Sequence, residues 1–205
     1  MNKLVKPTPL DREIKLDPSK IIISKANARG IIEFANDYFM EVSGYEEFEL
    51  MGQPHNVVRH PDMPKVIFKI MWERLQEGKN IHALIKNLSK DGRFYWVLTD
   101  FETKYNENGE IVSHYARRKA APGNAVFQIK KLYKTLVAIE ERQNPETAEK
   151  YFLGLLEEKA ITYDQYILEL LEVNNSNLDN YFFTGKTNTN GNTPPKKGFI
   201  KRMFN

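Results

Sequence analysis

The run Gly52-Gln53-Pro54-His55-Asn56-Val57-Val58-Arg59-His60-Pro61-Asp62-Met63-Pro64 restricts the folds open to this chain more than any other stretch. It carries three prolines, two histidines, one arginine and one aspartate, and has neither a helical nor a strand period. Each proline fixes φ and removes a backbone donor, so the segment can enter neither a helix interior nor a central strand. The chain has to pass through a rigid polar loop here. Asn56, Arg59, His60 and Asp62 are groups that recognise planar, anionic or hydrogen-bonding ligands, and such loops are where function concentrates. A solvated loop with a local Asp62–Arg59 pair is the equal alternative on chemistry alone.

The patterns on either side say what the loop joins. Residues 1–20 are polar, with Pro7, Pro9 and Pro18, and read as an arm laid over a domain. Ile21-Ile22-Ile23 is a short strand, Asn27-Ala28-Arg29-Gly30 a turn, and Ile31 to Phe34 the return strand. Asn36-Asp37 opens a short helix that turns Tyr38, Phe39 and Val42 inward and stops at Ser43-Gly44; a second helical turn spans 46–50. After the loop, Val66, Ile67, Ile70, Met71 and Leu75 recur at helical spacing over 65–76, with Phe68 and Trp72 sharing another face. Residues 81–88 alternate as a strand, with Ile81, Ala83 and Ile85 on one side. Ser89 to Gly92 is a hairpin turn, and further strands run from Phe94 to about Lys104 and from Ile111 to Arg118. This order predicts an α+β domain over 21–120, a five-stranded antiparallel sheet with short helices on one face and a pocket between them.

Ala120 to Gly123 marks a boundary. Over 124–143 the spacing predicts a connecting or dimerisation helix with Val126, Ile129, Tyr133 and Leu136 on one stripe. The next heptad position is Glu140, so the seam lasts two heptads, enough to dock on a domain or a twin helix. Residues 144–174 read as a helical hairpin. Asn144-Pro145 starts one helix and the Thr162–Gln165 capping box starts the other. Their inward faces are Ala148, Tyr151, Phe152, Leu155 and Leu156, then Tyr163, Tyr166, Ile167, Leu170 and Leu171. Residues 175–205 are rich in Asn, Thr, Gly and Pro and end in a mixture of cations and apolar groups, which predicts a disordered basic tail.

Composition removes several function classes. The net charge is +3, with Lys and Arg evenly spread before the last ten residues, which speaks against nucleic acid as the main partner. There is no cysteine, so disulfides, thiolate metal sites and cysteine nucleophiles are excluded. No apolar run approaches the roughly 18 residues of a membrane span, so a cytoplasmic protein without a span is expected. No nucleophile–base pair or metal cluster is legible, since His55 and His60 share a proline-rich loop without a third ligand; the chain is expected not to be an enzyme.

From Ile22 to Val97 the sequence resembles the sensory PAS domain of bacterial aerotaxis and energy-taxis receptors. The residues that carry the resemblance are Ser24-Lys25, Asn36-Asp37, Val42-Ser43-Gly44-Tyr45, the whole run 52–64, Phe68, Met71-Trp72, Lys86-Asn87, Lys90-Asp91-Gly92 and Tyr95-Trp96-Val97. The resemblance implies a PAS pocket that holds FAD non-covalently. It also implies relay of the flavin's redox state, by protein contact, to a membrane-bound methyl-accepting chemotaxis transducer, and a homodimer. Carried over position by position, Arg59, His60 and Asp62 shape the flavin loop, Trp72 packs against the cofactor and Asn87 meets the isoalloxazine edge. Phe68, Trp96 and Asn36 complete the candidate cofactor-binding set. The chain lacks the membrane helix and long coiled coil of a receptor, so it resembles the split arrangement of a soluble sensor and a separate transducer. It departs from the family pattern at Ile81, Ala83, Ser113-His114 and Ala116-Arg117. Those departures leave open a cofactor-free interaction module, or a haem-binding PAS gas sensor ligated by His82 or His114.

Overall fold

In the computed structural model, which describes residues 5–172 together with residue 182, five strands form one antiparallel sheet. They are β1 (Ile22–Asn27), β2 (Ile32–Ala35), β3 (His82–Leu88), β4 (Phe94–Tyr105) and β5 (Ile111–Ala120), in the spatial order β2-β1-β5-β4-β3. The last strand lies beside the first, so the segment from β2 to β3 has to cross one face of the sheet. It does so as α1 (Asp37–Ser43), α2 (Glu47–Leu50), a 3₁₀ turn (His55–Val58) and α3 (Lys65–Gln76). The predicted sheet and its short helices are all present.

Local chemistry fixes these pieces. Asn36 caps α1: its Oδ1 accepts from the Phe39 N–H at 3.1 Å and from the Ile23 N–H at 2.9 Å, while its Nδ2 donates to the Ile21 carbonyl at 2.9 Å. One side chain thus ties the helix start to β1. Gly44 ends the helix at φ 71°, the left-handed geometry that glycine adopts without a Cβ penalty. The N-terminal arm lies along the β3–β4 turn, with Leu10 N–H donating to Gly92 O and Ile14 N–H to Phe94 O, both at 2.7 Å. Gly92 sits at φ 89°, and a Cβ there would stand 2.4 Å from the Thr8 carbonyl, so arm and turn need a glycine at that crossing.

Strand alternation divides the sheet into two faces. Tyr95, Val97 and Thr99 point towards α1–α3; Trp96, Leu98 and Asp100 point the other way. The second face is covered as well, by α4 (Gly123–Arg142), α5 (Pro145–Glu158) and α6 (Tyr163–Leu171). Trp96 stacks on Tyr133 with ring centroids 6.1 Å apart, and the Tyr133 hydroxyl donates to the Leu84 carbonyl at 2.8 Å. The sheet is therefore the middle layer of three, with helices on both faces once the extension is included. This explains why every residue from Ala83 to Leu88 is buried where the sequence suggested alternation.

The α4 stripe buries Ala125, Ile129, Leu132, Tyr133 and Leu136, so its two-heptad seam docks on the chain's own sheet. In α5 Ala148, Phe152 and Leu156 are buried while Tyr151 is half-exposed, and in α6 Tyr163, Ile167, Leu170 and Leu171 are buried. Of the tail, Phe182 alone is described and it is buried; the rest of the basic-tail expectation lies outside the described residues. Among the described residues no helix is long and apolar enough to cross a membrane.

Candidate functional site

The interior between the sheet and α1–α3 is where a polar cluster has no business being unless it is used. Each of β1, β4 and β5 sends polar side chains into it. Ser24 of β1 and Arg118 of β5 are buried there beside an otherwise apolar core of Ile22, Phe39, Tyr45 and Val58. The Arg118 guanidinium donates to Ser24 Oγ and to His55 Nε2, both at 2.9 Å, and lies 5.7 Å from the centre of the Phe39 ring. His55 stacks on Phe39 with centroids 5.8 Å apart and ring planes 10° apart. As a residue His55 keeps some exposure, but its ring is enclosed by Phe39, Ser24 and Arg118. Desolvation, with the neighbouring guanidinium adding to it, lowers the His55 pKa to about 3, so the imidazole is neutral.

Further along the same face, burial holds the Tyr95 phenol well above its ordinary pKa. Its hydroxyl faces the Asn87 side chain without a hydrogen bond of good geometry, and Thr99 Oγ1 has no partner at all. Thr99 stands directly opposite Arg118 in the β4–β5 ladder, and Asn87 opposite Tyr95 in the β3–β4 ladder. Buried hydroxyls without partners are rare and ask for an explanation.

The eight site residues expected from the sequence fall into separate places. Asn87 is buried on the inner face beside Tyr95. Trp72 lies at one end of the interior, 36% exposed, packed over Gly30 and 5.8 Å from the His114 ring. Arg59 and Phe68 form a pair, the guanidinium 4.1 Å from the ring centre and also donating to the Met63 carbonyl at 2.9 Å. His60 and Asp62 meet at the β3 edge: the Asp62 N–H donates to His60 Nδ1 at 3.1 Å, and Lys86 Nζ donates to Asp62 Oδ2 at 2.6 Å. Burial and Lys86 lower the His60 pKa to about 4. Three of the eight do not face the interior, Asp62 being mostly exposed at the β3 edge. Trp96 is on the opposite face against Tyr133, because it follows Tyr95 on a strand, and Asn36 spends its side chain on three backbone groups. Phe68, Trp72 and Trp96 are therefore not assembled as one surface.

Arg118, Ser24, Thr99, Tyr95 and His55 are not among the eight site residues expected from the sequence. The available signal was the dipeptide Arg117-Arg118: adjacent strand residues face opposite ways, so a two-sided sheet must bury one of them. Arg117 goes to the far face, where it pairs with Asp100, and Asp100 Oδ1 also lies 3.1 Å from His82 Nε2. His114 Nδ1 is 3.0 Å from Thr103 Oγ1. Among the described residues no group of three metal-ligating side chains is assembled.

The donor set suits a planar heterocycle with carbonyl acceptors along one edge. The Tyr95 and Thr99 hydroxyls offer unspent donors and Arg118 a charged one on one face, with the Asn87 amide beside Tyr95, a set of the kind the pyrimidine edge of a flavin could use.

Residues 32–115 match the family described as the PAS fold. Over 117 residues the chain is 40% identical to the aerotaxis receptor of Escherichia coli (strain K12), a match covering 57% of this chain and 23% of that protein. It is 26% identical over 104 residues to the nitrogen fixation regulatory protein of Klebsiella pneumoniae, covering 51% of this chain and 21% of that one. The matched stretch is thus about a quarter of the length of these relatives or less. Among solved structures, a PAS domain from Colwellia psychrerythraea aligns with TM-score 0.46 and 22% identity, covering 49% of this chain and 86% of that one.

Proposed function

Because this chain carries a PAS-fold sensory domain similar to that of the aerotaxis receptor, we propose that it is a non-enzymatic redox sensor for aerotaxis or energy taxis. It binds FAD in the PAS interior and relays the redox state by protein contact to a membrane-bound methyl-accepting chemotaxis transducer. The observation that carries this reading is the buried polar cluster of Arg118, Ser24, His55, Tyr95, Thr99 and Asn87 facing the interior. Asn87 and the Tyr95 and Thr99 hydroxyls would hold the ring edge. FAD would supply a reversible two-electron couple there.

The protein's own residues supply the route outwards. Three polar contacts join α3, which roofs the interior, to the second helical layer: Lys65 and Val66 N–H to Glu140, Lys69 to Glu149 and Arg74 to Asp164. A rearrangement of α3 changes these contacts, and α4–α6 then present a different surface to the transducer or to a second copy of the chain. An effector shifts such an equilibrium only through unequal contacts with the two states.

The test is an absorption spectrum of the purified full chain. The two-banded visible spectrum of a bound flavin, with FAD released on denaturation, is the expected result. A protein that stays colourless after incubation with excess FAD overturns the flavin reading and leaves a cofactor-free interaction module. A sharp Soret band moves the assignment to haem and to His114, since His82 lies on the far face against Asp100.

A further inference from the structure

Two surface features of opposite character lie on opposite sides of the sheet, and neither is matched within the chain. The first is α2, in the layer of short helices. Phe48 is 80% exposed, more than any other aromatic residue described, and Glu46 and Glu47 are exposed beside it. Glu49 is engaged by Lys90 at 2.7 Å, whereas Glu46 and Glu47 make no ion pair among the described residues. The second is a cleft of about 320 Å³ where α4, the end of α5 and α6 meet. Tyr166 and Leu170 give it an apolar wall, with Tyr166 braced edge-on against Phe152 at 6.1 Å. Gln128, Lys131, Lys159 and Glu169 complete the lining. Lys134 follows Lys131 one turn along α4, and neither of these lysines nor Lys159 makes an ion pair among the described residues. Three uncompensated cations therefore stand in or beside a cleft that holds one carboxylate. Cavities of about half that size hold a benzene ring.

We propose that this cleft is the docking site for α2 of a second copy of the chain, with Phe48 inserted against Tyr166 and Leu170 and with Glu46 and Glu47 set against Lys131, Lys134 and Lys159. The sheet stands between the two features, so one chain cannot close the contact on itself. Donor and acceptor are different patches, so the contact is heterologous: two copies exchange α2 reciprocally, or further copies add as an open chain. A membrane surface or a nucleic acid suits the cleft less well, because the lining is concave and carries the Glu169 carboxylate. A contact this small is weak and depends on concentration. Nothing in it depends on the flavin reading.

Sedimentation velocity of the full chain at rising concentration reads the contact. The expected result is a mass above that of the monomer at high concentration, reduced by added salt. A monomer at every concentration up to about 1 mM overturns the proposal. Phe48→Ala removes the donor, and the double variant Lys131→Glu/Lys159→Glu reverses the acceptor; all three positions are exposed. Each variant is expected to weaken self-association at least about tenfold. The mixture decides the geometry. Phe48→Ala keeps an intact cleft and the double variant keeps an intact Phe48, so an equimolar mixture is expected to associate where each alone does not. A mixture as monomeric as its parts, or self-association unchanged in either variant, overturns the proposal.

Discussion

The Glu140 carboxylate of α4 accepts the Val66 N–H at 3.0 Å, so the first turn of α3 is capped by a helix of the other layer. Its second oxygen accepts the Lys65 N–H at 2.9 Å. The residue before α3 is Pro64, which offers no side-chain cap, and the amides left open at a helix start need partners. The carboxylate also meets the positive end of the helix dipole. Glu140 is the position at which the α4 seam stops being apolar, and its work is at the α3 terminus.

Replacing Glu140 with Ala is expected to cost about 1 kcal/mol, the usual worth of a helix cap. For a chain of this size that lowers the melting temperature by about 2–4 °C. Glu140→Gln keeps an acceptor and loses the charge, so its loss should be the smaller. Chemical-denaturation midpoints of the three proteins check the order; equal midpoints would show the cap to be energetically idle.

His55 and His60 make the fold sensitive to acid. Both are held below the ordinary histidine range, at about 3 and about 4, so folding favours their neutral forms. The unfolded chain, with histidines near 6.5, binds more protons than the folded one as pH falls. Stability is fully present above about pH 6.5 and is lost as pH drops towards 4 and 3. Between pH 7 and 5 each histidine removes at most about 2 kcal/mol, less for His60 because its site is only partly desolvated. Unfolding free energies measured at pH 7, 6 and 5 should fall for the wild type and fall less steeply for His55→Asn. Parallel slopes would exclude His55 as a contributor.

Tyr133→Phe removes the hydroxyl that the Leu84 carbonyl accepts at 2.8 Å and leaves the ring stack on Trp96 in place. A loss of about 1–2 kcal/mol is expected for the stranded carbonyl. Tyr133→Ala, which also empties the ring's volume, should lose about 3–5 kcal/mol. The gap between the two variants in urea unfolding measures how far α4 is held by packing.

Asp100 is buried on the outer face between Arg117 and His82. Asp100→Ala leaves the guanidinium without its carboxylate, and a loss of about 3–5 kcal/mol is expected. The double variant Asp100→Ala/Arg117→Met should recover much of that loss. Additive losses in the double-mutant cycle would deny the coupling.

Much of the architecture was legible because it is local. The Asn36 cap, the prolines of 52–64, the Thr162–Gln165 box and the period of α3 each declare themselves within a few residues. The two-sided burial of β3 was not legible from β3 itself, since it depends on helices that begin 35 residues after its end. The interior site was legible only in part for a related reason. Loop residues such as Arg59 and Asp62 stand out by composition, and they turn out to be engaged with Phe68, Met63 and Lys86. Arg118 sits among charged strand neighbours, and only the register that sets it opposite Ile22 and Thr99 reveals which charge is inside.

The covering of the sheet's second face by α4–α6 sets the terms on which any other protein can use that face. A tethered segment behaves as a competitor present at roughly millimolar effective concentration. A partner of ordinary cellular abundance that seeks the surface around Trp96 and Leu84 is outbid by the chain's own helices until their hold is loosened. Occupancy of that surface is therefore governed by the docking equilibrium of the extension, and small changes in the contacts at Glu140, Glu149 and Asp164 set the threshold at which it opens.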